Sequence, residues 1–76
     1  MNEIFGKNLK QERIDKGLTQ EQLGKLCNVS KTTICQWETS KQEPSIESLI
    51  TLSKIFAITI DELVGNNFDK ETTNKN

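Results

Sequence analysis

The sequence predicts an all-α fold, a compact domain of five short helices. Three observations predict it: apolar residues recur at helical spacing, Ser and Thr stand where helices begin, and no stretch alternates long enough to argue for a strand. Of the 76 residues, 33% are apolar and 28% are charged, which suits one small helical domain. The chain is predicted to divide into a folded domain, residues 1–68, and a polar disordered tail, residues 69–76.

Residue types mark where each helix begins and ends. The first helix is predicted over residues 4–16 and the third from Ser30 to about Thr39. Hydroxyl residues that can cap a helix N-terminus precede the second to fifth helices: Thr19, Ser30, Ser45 and Thr59. Two of them begin capping boxes, since Gln22 follows Thr19 and Glu62 follows Thr59 by three residues. Residues suited to the left-handed conformation that ends a helix are Gly17, Asn28 and Gly65.

The apolar spacing also predicts which side of each helix is buried. The residues expected to face inward are Phe5 and Leu9 in the first helix, Leu23, Leu26 and Cys27 in the second, Ile34 and Trp37 in the third, and Leu49, Leu52 and Phe56 in the fourth. Val29 is expected to fill the turn between the second and third helices. These positions predict a single core shared by all the helices.

Composition excludes several classes of protein. The chain has no histidine and only two cysteines, Cys27 and Cys35, so it lacks the ligands of a zinc site, and no cofactor is expected. Without a nucleophile–base pair or a phosphate loop, an enzyme is not expected. No apolar run reaches the roughly 18 residues of a membrane helix, and the N-terminus does not resemble a signal peptide. The expected location is the cytoplasm.

The segment from Gln20 to Trp37 has the layout of a helix-turn-helix. A helix of about eight residues, a short turn and a third helix of about nine follow one another, the arrangement in which the second of the two helices enters a DNA major groove. At 100° per residue, Lys31, Thr32 and Gln36 share one polar arc of the third helix, opposite Ile34 and Trp37. All three types can contact base edges. The arc alone is equally compatible with a plain solvated helix face.

Several motifs in order resemble the lambda-repressor/Cro (Xre-type) helix-turn-helix family. They are LTQEQLG at residues 18–24, VSK at 29–31, Ile34, WE at 37–38 and KQEPS at 41–45. The similarity extends from Phe5 to about Val64. The resemblance implies a five-helix lambda-repressor-like fold and double-stranded DNA as the partner, in a chain of bacterial, phage or mobile-element origin.

The resemblance also implies roles for individual residues. Base reading falls on Lys31, Thr32 and Gln36. Contacts to the DNA backbone fall on Thr19, Gln20, Ser30, Thr39, Ser40 and Lys41. Arg13 and Glu38 match a structural salt bridge of the scaffold. Candidates for a homodimer contact are Ile58, Ile60 and Phe68, although completing the monomer core explains them as well.

Three positions depart from the family pattern. Gly24 replaces a small alanine in the second helix, which keeps close packing possible and lowers helix propensity by roughly 1 kcal/mol. Asn28 replaces the turn glycine and tolerates the same left-handed conformation. Ser40 replaces a glycine that commonly follows the third helix, so the conformation of that loop is open.

The charges are divided between the two halves of the chain. Residues 7–41 contain seven basic and four acidic residues, residues 42–76 contain three basic and six acidic, and the net charge of the whole is −1. With so few phosphates neutralised per subunit, specific binding is expected to need a dimer on a pseudo-palindromic operator. The predicted function is a transcriptional regulator, and in particular a repressor. The alternative is an antitoxin or another protein-interaction module on the same scaffold.

Overall fold

Five helices make up the computed structural model, which describes residues 3–65. The helices are α1 (Glu3–Asp15), α2 (Gln20–Cys27), α3 (Lys31–Glu38), α4 (Ile46–Phe56) and α5 (Ile60–Val64). No strand occurs between residues 3 and 65. The predicted all-α class and the five-helix architecture are therefore confirmed. Phe68 and the predicted tail, residues 69–76, lie outside the described residues.

One apolar core holds the helices together. Nine side chains are buried in it: Phe5, Leu9, Leu23, Ile34, Trp37, Leu49, Leu52, Phe56 and Leu63. Cys27 and Val29 pack partly buried against this core, as the spacing predicted. The prediction that Leu26 faces inward is wrong, because 54% of the residue is exposed. Leu23 and Gly24 centre the buried face of α2, and Leu26 lies at the edge of that face at 100° per residue.

The hydroxyl residues predicted to begin helices do so. Each cap oxygen accepts a hydrogen bond from the backbone amide three residues later, in Thr19, Ser30, Ser45 and Thr59. Both predicted capping boxes form, because the side chains of Gln22 and Glu62 accept from the cap amides at 2.8 and 3.0 Å. Each of these four helix starts is thus set by residues within one turn of it.

Every described helix is followed by a residue with positive φ. These residues are Gly17, Asn28, Ser40, Ala57 and Gly65. At the end of α3, the Lys41 amide donates to the Gln36 carbonyl at 2.8 Å, while Ser40 has φ 64°. This bond is the 6→1 bond of a Schellman motif. Ser40 therefore adopts the left-handed conformation in spite of its Cβ, which resolves the conformation of the loop that the sequence left open.

Gly24 brings the turn of the helix-turn-helix close to α2. A Cβ at this position would lie 2.7 Å from the Val29 carbonyl oxygen, closer than van der Waals contact allows. The Val29 amide also donates to the Gly24 carbonyl at 2.8 Å. An alanine would push the turn away, so Gly24 fixes how closely the turn packs on α2.

The left-handed alanine at the end of α4 generates a prediction about stability. In the Ala57→Gly variant, the Cβ that opposes φ 56° is removed. Relief of the left-handed conformation stabilises the folded state, while the greater entropy that a glycine loses on folding opposes it. We therefore expect the free energy of unfolding to rise by about 0.5–1 kcal/mol. Thermal unfolding followed by circular dichroism measures the change.

Gly17 supplies the matched control for that experiment. It has φ 72° and a Cβ there would meet nothing within 4 Å, so Gly17→Ala adds the same conformational penalty without a clash. We expect Gly17→Ala to lower the free energy of unfolding by a similar amount. A lower melting temperature for Ala57→Gly would contradict the assignment of strain to this position.

Candidate nucleic-acid interface

A buried ion pair joins α1 to the end of α3. Arg13 Nε donates to Glu38 Oε2 at 2.6 Å and Arg13 Nη2 donates to Glu38 Oε1 at 3.2 Å, a bidentate arrangement. The two side chains are 12% and 3% exposed. A third guanidinium nitrogen, Nη1, donates to the Leu18 carbonyl at 2.8 Å. The residues that the resemblance paired are thus in direct contact, and Arg13 also holds the turn before α2.

Gln20 contributes a further donor to the same carboxylate. Its Nε2 lies 3.1 Å from Glu38 Oε1, so the first residue of α2 contacts the last residue of α3. Gly6 of α1 lets the backbone of Glu38 approach α1 closely, because a Cβ at this position would lie 2.5 Å from the Glu38 carbonyl oxygen. Three helices therefore converge on Glu38. The family resemblance implied only a DNA-backbone contact for Gln20, and no local sequence pattern indicates its bond to Glu38.

The outward face of α3 carries the predicted base-reading residues. Lys31 and Thr32 are exposed and Gln36 is half-buried, while Ile34 and Trp37 are buried on the opposite side. Cys35 is exposed on the same outward face as Lys31 and Thr32. An α-helix with its side chains is about 10–12 Å in diameter and so fits the major groove of B-DNA, which is about 12 Å wide.

The residues predicted to meet the DNA backbone flank this face. The hydroxyls of Thr19 and Ser30 act as helix caps at the starts of α2 and α3. The Thr39 hydroxyl donates to the Cys35 carbonyl at 2.8 Å, and Ser40 and Lys41 are exposed beyond it. The backbone amides in the first turn of α2 have no carbonyl partner within the helix, which makes that end suited to an anion.

The predicted dimer residues lie around the start of α5. Ile58 and Ile60 are half-buried and pack against the core, so each has both a core contact and an exposed part. Phe68 lies outside the described residues. Asn8 was not singled out from the sequence, yet its Nδ2 donates to the Leu63 carbonyl at 3.1 Å and ties the end of α5 to α1. The 55 positions between Asn8 and Leu63 leave no local signal for this bond.

The described residues bring no metal-binding group together. Between residues 3 and 65, no three acidic or cysteine side chains cluster as metal ligands. Within the same range, no helix is both long and apolar enough to cross a bilayer. Burial raises the pKa of the Cys27 thiol.

The fold and the paired helices α2 and α3 define a helix-turn-helix protein. The model of the family described as helix-turn-helix matches residues 9–63. The chain belongs to this family, in its lambda-repressor (Xre-type) branch, as the sequence motifs predicted. The family consists of DNA-binding regulators of transcription, which are not enzymes.

Individual relatives agree with this membership. The chain is 50% identical over 60 residues to the HTH-type transcriptional activator BcrR of Enterococcus faecalis, and 36% identical over 62 residues to the repressor protein C2 of Salmonella phage P22. These matches cover 79% and 82% of the chain and 29% of each relative, so the chain spans less than a third of either protein.

Solved structures show the same fold. The P22 c2 repressor in complex with a synthetic operator superimposes with a TM-score of 0.76 at 35% identity, covering 82% of this chain and 94% of that one. A transcriptional regulator from Listeria innocua gives a TM-score of 0.77 at 32% identity, covering 90% of this chain and 69% of that one.

The buried ion pair predicts a large effect of Arg13→Ala on folding. Removing the guanidinium leaves the Glu38 carboxylate buried without its bidentate partner, which costs about 3–5 kcal/mol for a pair of this kind. We expect a melting temperature lower by more than about 10 °C, measured without DNA.

Two further variants sharpen that measurement. Arg13→Lys keeps the charge and loses the fork that also contacts the Leu18 carbonyl, so an intermediate loss is expected. Lys10→Ala, at an exposed position of the same helix, is the control and should unfold like the wild type. An unchanged melting temperature for Arg13→Ala would show that the pair has no structural role.

Proposed function

We propose that this chain binds double-stranded DNA in a sequence-specific way and regulates transcription. The observation that carries the proposal is the α2–turn–α3 unit, in which α3 presents a polar face outward. Its last residue, Glu38, is held by hydrogen bonds from Arg13 of α1 and Gln20 of α2. A helix fixed in this way can enter a major groove with its side chains in a constant register. The operator complex of the similar P22 c2 repressor supports this mode of binding.

Base contacts are proposed for the exposed face of α3. Lysine can donate to guanine O6 and N7, glutamine can pair with adenine N6 and N7, and a threonine methyl can contact the methyl group of thymine. In this chain these groups belong to Lys31, Gln36 and Thr32. Thr19, Ser30 and the segment of Thr39, Ser40 and Lys41 are proposed to contact phosphates on either side.

A homodimer on a pseudo-palindromic operator is proposed because one subunit carries little positive charge. Residues 7–41 have seven basic and four acidic side chains, a net charge of only +3, so a monomer gains little from counterion release. Two subunits on half-sites about 34 Å apart would double the contacts. Ile58 and Ile60, each partly exposed at the start of α5, are the proposed dimer residues.

Repression is the proposed direction of regulation. The phage P22 relative and the CTXphi phage relative RstR of Vibrio cholerae, 28% identical over 75 residues, are both named repressors, whereas BcrR is named an activator. A reporter gene placed behind a selected operator measures the direction. Selection of bound sequences from random DNA gives the operator itself and its half-site spacing.

The proposed reading face predicts losses of DNA affinity on mutation. We expect Lys31→Ala and Gln36→Ala each to weaken binding to the selected operator by about 1–3 kcal/mol and to relax the base preference at one position. Fluorescence anisotropy with the operator and with variants at single base pairs measures both effects.

Matched controls lie on other helices of the domain. Lys54→Ala removes an exposed lysine of α4, and Gln11→Ala removes an exposed glutamine of α1. Both should bind the operator like the wild type. If Lys31→Ala and Gln36→Ala also retain full affinity, the assignment of α3 as the reading helix is incorrect.

The exposed thiol of α3 provides a footprint of the bound state. Cys35 is exposed on the reading face, whereas Cys27 is half-buried on α2 and burial raises its pKa. We expect a maleimide to label Cys35 first, operator DNA to slow that labelling, and the labelled protein to lose affinity. Mass spectrometry locates the label, and the Cys35→Ser variant is the control that should bind DNA regardless of the reagent. Equal labelling with and without the operator would contradict docking through this face.

A further inference from the structure

The side chain of Gln20 is directed into the domain toward Glu38. Gln20 begins α2, and its Nε2 donates to Glu38 Oε1 at 3.1 Å, across 18 positions of sequence. The same oxygen accepts from Arg13 Nη2 at 3.2 Å, and the Glu38 side chain is only 3% exposed. The Gln20 amide is thus one of the groups that satisfy a buried charge.

This bond joins two segments that have separate places in the proposed interface. One is the N-terminus of α2, whose first-turn amides are suited to a phosphate. The other follows Glu38 directly and consists of Thr39, Ser40 and Lys41, held on α3 by the bond from the Lys41 amide to the Gln36 carbonyl. A shift of Glu38 relative to Gln20 would change the distance between the two segments.

We propose that Gln20 is a positioning residue that fixes the spacing of these two phosphate-contacting segments by holding Glu38. The proposal rests on the proposed function of DNA binding. It assigns the effect of Gln20 on affinity to its bond with Glu38, in place of a side-chain contact of its own with a phosphate. Because phosphate contacts position the protein on any duplex, loss of the Gln20 side chain weakens binding to random DNA as well as to the operator.

The first experiment needs no DNA. Amide hydrogen exchange followed by NMR compares the wild type with Gln20→Ala and with Gln11→Ala, in which the lost bond is an exposed one to Asp15 at 2.9 Å. We expect Gln20→Ala to speed exchange at the amides of Lys41 and Gln42, both of which donate to the Gln36 carbonyl. The Ile58 amide, bonded to the Ser53 carbonyl in another part of the fold, should exchange as in the wild type.

The second experiment measures operator affinity for Gln20→Ala, Lys41→Ala and the double variant. We expect Gln20→Ala to weaken binding to specific and to random DNA, about fivefold to tenfold for the operator. The double variant should bind clearly more tightly than the product of the two single losses would give. When two side chains act independently, the losses of affinity in their single variants multiply in the double variant to within about twofold. Gln11→Ala should leave affinity unchanged.

The outcomes separate this inference from the function on which it rests. Exchange at Lys41 and Gln42 that is unaffected by Gln20→Ala overturns the positioning role, whatever the DNA experiment shows. If the loss of affinity in the double variant equals the product of the two single losses, the positioning role is also overturned, and Gln20 is assigned a phosphate contact of its own. If selection from random DNA recovers no sequence that the wild-type protein binds, the proposed function is overturned. Faster exchange at Lys41 and Gln42 in Gln20→Ala would still show that Gln20 holds the segment after Glu38.

Discussion

The buried carboxylate of Glu38 is the constraint on which the arrangement of the first three helices depends. The Glu38 side chain is 3% exposed, and a carboxylate at such a position is stable only when charged and polar donors surround it. Here the donors come from Arg13 in α1 and Gln20 at the start of α2, and Glu38 itself ends α3. Because the guanidinium is planar and its contacts are bidentate, the pair restricts direction as well as distance. The orientation of α3 relative to α1 and α2 follows from satisfying one charge, and with it the direction in which Lys31 faces.

A second constraint acts at the helix ends. Helices of 5 to 13 residues are marginal on their own in water, so their ends must be set by specific bonds and their faces by the core. The starts of α2 to α5 are set by cap hydroxyls, each bonded to an amide three residues further on, so the signal for each start lies within four residues. The left-handed ends differ, since glycine occupies only two of the five and Asn28, Ser40 and Ala57 occupy the others. At Ser40 and Ala57 the chain turns against the preference of the residue, which requires that packing on both sides outweighs a penalty of roughly 1–2 kcal/mol.

The difference between starts and ends explains what the sequence can predict. Helix starts, the buried stripe of α4 and the polar arc of α3 depend on local spacing, and for these the prediction from the sequence and the structure agree. Leu26 was misassigned because periodicity gives the angular position of a residue without the width of the face that neighbouring helices cover. The bonds of Gln20 to Glu38 and of Asn8 to Leu63 join residues 18 and 55 positions apart, and no local pattern encodes them. The assignment of Lys31, Thr32 and Gln36 to bases stays a prediction, since it depends on a partner outside the chain.

The small net charge acquires a physical meaning from this network. The total of −1 arises from a basic half and an acidic half, and within the basic half Arg13 and Glu38 neutralise each other inside the fold. The field that a nucleic acid would meet therefore comes from a few exposed lysines, among them Lys31 and Lys41. A protein with little long-range attraction must gain its affinity from contacts made at short range and in the right geometry. Short-range contacts lose most of their strength when a donor is displaced by about 1 Å. For such a protein, the rigidity that Glu38 and its donors give to α3 contributes to recognition as directly as the side chains that meet the bases.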